Sequence, residues 1–165
     1  MPSYINPSPG VAASQIIVKL DCGQALGNLT LGGAPITVPA LQNITINASN
    51  DVFTWSQLDS TAKKSIATTS TNSLSMNIVV DNDTFFGSNL TAAQTGNVAS
   101  QGVFGLSRNK TLVTFSIRAD GSDATYIKGQ GYVTGVAPAV TAEQPVWVTP
   151  LNIAVTGEFT TSATE

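Results

Sequence analysis

The sequence predicts a mainly β fold, an antiparallel sandwich or half-barrel with one short flanking α-helix, and three observations predict it. Four segments alternate apolar and polar residues with period two. Glycines and prolines, 14 and 8 of them, punctuate the chain between apolar runs. Only 10% of the residues are charged while 49 are Ser, Thr or Asn, so uncharged polar groups occupy the faces left to water. Side chains alternate across a strand, so each alternating segment carries one buried and one wet face. Clean alternation is the mark of an antiparallel sheet.

Residues 1–15 hold Pro2, Pro7, Pro9 and Gly10 and read as an N-terminal arm. A single β domain is expected over 16–160, followed by a short tail, 161–165. The first strand spans 15–21, with Ile16, Ile17 and Val18 β-branched. Residues 23–33, with Gly23, Gly27, Gly32 and Gly33, form a turn or meander. Residues 34–39 lie between two prolines and suit a short edge strand.

The alternating segments follow. Residues 42–48 set Ile44, Ile46 and Ala48 against Asn43, Thr45 and Asn47. Residues 73–80 set Leu74, Met76, Ile78 and Val80 against Ser73, Ser75 and Asn77. Residues 111–118 set Val113, Phe115 and Ile117 against Thr114, Ser116 and Arg118. Residues 148–159 set Leu151, Ile153 and Val155 against Asn152, Ala154, Thr156 and Glu158. Asp120-Gly121-Ser122-Asp123 reads as a hairpin turn, and 126–136 as its return strand, bulged at Gly129, Gly131 and Gly135. Residues 50–72 are polar and read as a long loop, a length that usually marks function. Residues 88–101 are the helix candidate, capped by Ser88 or Asn89.

Composition excludes several chemistries. Without histidine there is no His-based triad or His metal site, and one cysteine builds neither a CxxC site nor an internal disulfide. A net charge of −3 opposes tight binding to nucleic acid or an anionic membrane. The opening residues show no basic region followed by an apolar run, so no signal peptide is expected, and no stretch is apolar enough for a membrane helix. Six Asn-X-Ser/Thr sequons follow from composition. Asp81-Asn82-Asp83 lacks the glycine and distal glutamate of a calcium loop and reads as a turn. Asp120 and Asp123 belong to their turn, and Cys22 reads as a buried small hydrophobe. The glycine-rich segments lack the Lys-Ser/Thr of a phosphate loop. No catalytic, metal or cofactor residues are assigned, and no enzyme is expected. Trp147 reads as core or interface. Phe53 and Trp55, apolar within the polar 50–72 segment, point to a protein contact ahead of a sugar platform.

The order of these parts resembles the major tail tube proteins of long-tailed bacteriophages. The resemblance rests on the Ser/Thr/Asn-rich run 64–83 entering Ser-Leu-Ser-Met-Asn-Ile-Val-Val-Asp, and on the C-terminal third. That third reads Ala119-Asp120-Gly121, then Gly131-Tyr132-Val133-Thr134-Gly135-Val136, then Val140-Thr141-Ala142-Glu143, then 151–159 ending in Gly-Glu-Phe. The pattern covers about 16–159, without the immunoglobulin-like addition of some members. It implies a sheet that joins its neighbours' in a multi-subunit barrel of six copies, with rings stacked into a tube for DNA ejection. The implied partners are other copies of the chain and the tape-measure, tail terminator and baseplate proteins. DNA would pass without specific binding, in a virion made in the host cytoplasm, with no membrane and no cofactor.

On that reading Asn43, Thr45, Asn47, Ser73, Ser75, Asn77, Thr114, Ser116, Asn152 and Thr156 are the lumen-facing candidates. Phe53, Trp55, Leu58, Lys63 and Lys64 are the subunit-interface candidates. The alternatives are another virion protein, a tail terminator ring or capsid decoration protein, and a carbohydrate-binding β-sandwich using Trp55.

Overall fold

The computed structural model describes residues 16–32, 34–38, 41–88, 97–119 and 125–165. Its strands are β1 (Ile16–Cys22), β2 (Ile36–Thr37), β3 (Asn43–Ser56), β4 (Lys63–Val79), β5 (Leu112–Ala119), β6 (Thr125–Val136), β7 (Ala139–Thr141) and β8 (Gln144–Ser162). Among the described residues two helices, α1 (Asn82–Phe85) and α2 (Val98–Arg108), lie between β4 and β5. All the strands join one antiparallel sheet in the order β2-β1-β5-β6-β8-β4-β3, with β7 on the N-terminal part of β8. The expected arm, the hairpin turn at 120–123 and most of the 88–101 helix candidate lie outside the described residues.

Register explains where the core sits. Directly paired residues share a face of the sheet. Val18, Leu20 and Cys22 pair with Ile117, Phe115 and Val113, and Leu74 and Met76 pair with Ile153 and Leu151. These side chains come from both halves of the sheet and form a single buried cluster, so the sheet curves around them. Phe85, Val98, Val103 and Leu106 of the helices close that cluster. Phe115 packs over Gly129, where a Cβ would come within 2.6 Å of its ring, so that strand position must stay bare. The shifts in β6 register fall at Lys128/Gln130 and Val133/Gly135, beside two of the expected glycines.

Three expectations need correction. The 50–72 segment is not a loop: β3 runs to Ser56 and β4 starts at Lys63, and the two pair along nearly their whole length. A bulge between Asn50 and Val52 breaks the two-residue period there, and the strands have no buried face at that end, so their polarity imitates a loop. The helix lies later than 88–101, at Val98–Arg108, with Asn97 as its cap accepting from Ala99 N at 2.9 Å. Gly102, at φ 65°, kinks it where a Cβ would meet Phe85 O at 2.4 Å, so the α1 and α2 backbones touch. Finally, Asp81 is a helix cap: its carboxylate accepts from Asp83 N and Thr84 N and starts α1. At the C-terminus β8 continues to Ser162, and Glu165 ion-pairs with Lys19 at 2.7 Å, so 161–165 is tied to the sheet.

Candidate functional site: a neutral sheet face and an apolar hairpin arm

The ten lumen-facing candidates share one face of the sheet, opposite the core. Thr45 pairs with Ser75, and Ser75 with Asn152. Asn47 pairs with Ser73 in a row continued by Ala154 and Tyr132. Asn43 pairs with Asn77, and Thr156 pairs with Gln130 and so leads to Thr114. Eight of the ten, Asn43, Thr45, Asn47, Ser73, Ser75, Asn77, Asn152 and Thr156, reach solvent wholly or in part. No charged residue interrupts these positions on β3, β4 and β8. The stretch 43–47, 73–77 and 152–156 of this face can donate and accept hydrogen bonds and carries no fixed charge, whereas the β1–β5–β6 part of the same face holds Lys19 and Lys128 beside Ser116 and Asp21 beside Thr114.

Thr114 and Ser116 are corrections. They are 0% and 1% exposed and cannot line an open channel. Over Thr114 the cause is the glycine-rich segment after β1, which folds back onto this part of the face, while Ser116 sits between Lys19 and Lys128. Gln130 pins the segment: its amide nitrogen donates to Ala25 O (3.0 Å), Asn28 O (2.9 Å) and Thr114 Oγ1 (3.0 Å). Its Oε1 accepts from Gly27 N at 2.7 Å. Asp21 holds the far end by accepting from Gly32 N. Gln130 was missed in the sequence because it sits between Gly129 and Gly131, which read only as bulges. A lone amide between two glycines within a strand was the available signal, since buried amides need partners.

The second feature is the arm. β8 pairs β4 only over 72–79, so beyond Ser49 and Thr71 the β3–β4 hairpin has no further strand beside it among the described residues. The overhang is about eight residues per strand, roughly 25 Å long. All five interface candidates lie on it. Phe53 and Trp55 stack with ring centroids 6.0 Å apart and an interplanar angle of 22°. Opposite them stand Ile66 and Lys64, while Lys63 pairs with Ser56 and Leu58 is fully exposed in the turn. Phe53 is 60% and Ile66 56% exposed. Asp51 steadies the bulge, accepting from Thr68 Oγ1 (3.2 Å) and Thr69 Oγ1 (3.0 Å). A two-stranded ribbon is marginal by itself, and clustered exposed apolar side chains mark a contact surface.

Reactive chemistry is poorly served. Burial, and then the neighbouring Asp21 charge, pushes the Cys22 thiol up to about 11, so it stays protonated and un-nucleophilic. Burial would raise Asp81, but hydrogen bonds from Thr84 and Asp83 outweigh it and hold the carboxyl below its ordinary range, as suits a cap. A surface cavity of about 420 Å³ between Leu26, Leu29, Gln130 and Thr156 has Glu158 as its one ionisable lining residue among the described residues.

No protein-family model matches the sequence, and a search of the curated proteins finds no match. Solved structures do match. A chain of the SPP1 tail tube superposes with a TM-score of 0.66 at 11% identity, over 92% of this chain and 78% of that one. The chain has the tail-tube fold. A chain of the anti-feeding prophage baseplate gives 0.65 at 13% identity, covering 94% and 96%. A chain from the tail of the empty gene transfer agent particle, determined with C6 symmetry, gives 0.64 at 12% identity, covering 92% and 98%. The tail-tube fold thus extends over almost the whole chain.

Proposed function

We propose that this protein is a structural virion component that assembles through its own copies into rings, six to a ring, stacked as a tail tube for DNA ejection. The observation that carries the reading is the neutral stretch formed by 43–47 of β3, 73–77 of β4 and 152–156 of β8 on a tail-tube fold. Cations on a channel wall would bind phosphates and release counterions, and each would slow a passing duplex. A wall of Asn, Ser and Thr avoids that grip. Joining β3 to a neighbouring subunit's sheet would also remove an exposed edge, which otherwise invites aggregation. The arm, with Phe53, Trp55, Leu58, Lys63 and Lys64, is the contact between copies, and its apolar surface is covered only on assembly. A heterologous contact that closes makes a ring. Tape-measure, terminator and baseplate proteins are the partners such a tube requires.

Electron microscopy of the concentrated protein tests this reading. Long tubes of uniform bore are expected. Isolated rings would favour a terminator, and a chain that stays monomeric at every concentration would overturn the proposal.

A further inference from the structure

A second apolar patch lies at the opposite end of the sheet from the arm. Lys63 begins β4, whereas Val79 ends it, paired with Val148. Just beyond, Val80 N donates to Trp147 O at 2.8 Å, which places Trp147 about 50 Å from the hairpin tip along the strand direction. Trp147 packs on Phe86 with centroids 6.4 Å apart, and Phe86 on Phe104 at 6.2 Å. Trp147 is 44% and Phe104 41% exposed, so the patch is only half covered. Acids flank it: Asp83 lies one turn before Phe86, and Glu143 precedes the strand that bears Trp147. Both are exposed, and among the described residues neither has an ion pair.

The hairpin tip is the complement of this patch. It presents Phe53, Trp55, Leu58 and Ile66 with Lys63 and Lys64, also without ion pairs among the described residues. Even the minority charges are opposite in sign, since the tip holds Asp59 and Arg108 stands one turn beyond Phe104. We propose that the hairpin tip of one copy docks on the Phe86–Phe104–Trp147 patch of the next. The two surfaces lie at opposite ends of the molecule, so neither can be satisfied within one chain. Each docking event leaves a free tip and a free patch, which makes the contact head-to-tail and open-ended. This inference rests on the self-assembly reading and names the surface that the arm meets.

Cross-linking tests it. Cys22 is buried, so cysteines introduced at the surface are the reactive thiols. A chain carrying both Gln57→Cys and Asn82→Cys, treated with a short bismaleimide under assembling conditions, should give a covalent ladder of dimers, trimers and longer species. Each single variant should remain monomeric on a denaturing gel. Assembled particles without a ladder, or dimers from Gln57→Cys alone, would overturn the docking while leaving self-assembly intact. Failure to assemble at all would overturn both. As a second readout, Lys63→Glu with Lys64→Glu should raise the critical concentration at least tenfold, and Asp83→Lys with Glu143→Lys in the same chain should restore it. Failure of that restoration would also count against the docking.

Discussion

Replacing Trp55 by alanine separates the arm's role in assembly from its role in folding. Trp55 is 36% exposed in the single chain. For a side chain with up to about 250 Å² to bury, roughly 90 Å² remains open to a partner. Covering that area is worth about 2 kcal/mol at ~25 cal/mol per Å². Each subunit joining a tube makes this contact, so the critical concentration should rise by roughly 40-fold. The free chain should suffer much less. Trp55 lies on an overhang and stacks only on Phe53 among the aromatic residues, a pairing worth about 1 kcal/mol. Sedimentation across a concentration series measures the first quantity, and thermal melting by circular dichroism the second. A critical concentration within twofold of the parent, with the fold intact, would refute the arm as an assembly contact.

Other outcomes follow from the same structure. Gln130→Ala should destabilise the chain by about 2–3 kcal/mol in urea unfolding, because it orphans the backbone groups that Gln130 satisfies. Lysines placed at Thr45, Ser75 and Asn152 should leave assembly intact but create DNA binding that weakens steeply with salt in a filter-retention assay. The Cys22 thiol is raised in the folded chain from 9.0 to about 11, so the folded state holds its proton more tightly than the unfolded state. Its contribution is full below pH 9 and is lost as pH rises through about 11, so Cys22→Ala should flatten the fall in stability across that window.

Strand positions were legible wherever one face is buried. The 73–80 segment shows this best: Leu74, Met76 and Ile78 are buried while Ser75 is exposed, and the two-residue period reports that difference directly. Where both faces meet solvent the signal fades, which is why the outer hairpin read as a loop although Val52, Thr54, Ile66 and Thr68 suit a strand. The helix was misplaced for another reason: Gly102 and Gly105 argue against helix locally, but the α1 backbone leaves no room for a Cβ at Gly102, and at Gly105 a Cβ would stand 3.0 Å from that of Gln101. At the candidate site, period alone gave the shared polar face. It could not distinguish Thr45, which stays open, from Thr114, which the segment pinned by Gln130 covers. That distinction depends on residues far apart in the chain. The apolar anchors on the arm were legible as residue types, whereas the strand pairing that groups Phe53, Trp55 and Ile66 was not.

A cryo-electron microscopy reconstruction of the concentrated protein bears most directly on the neutral channel. A hollow tube with Thr45, Ser75 and Asn152 at its smallest radius is expected. A tube whose inner wall is formed by the helices, with those three side chains facing outward, would contradict it.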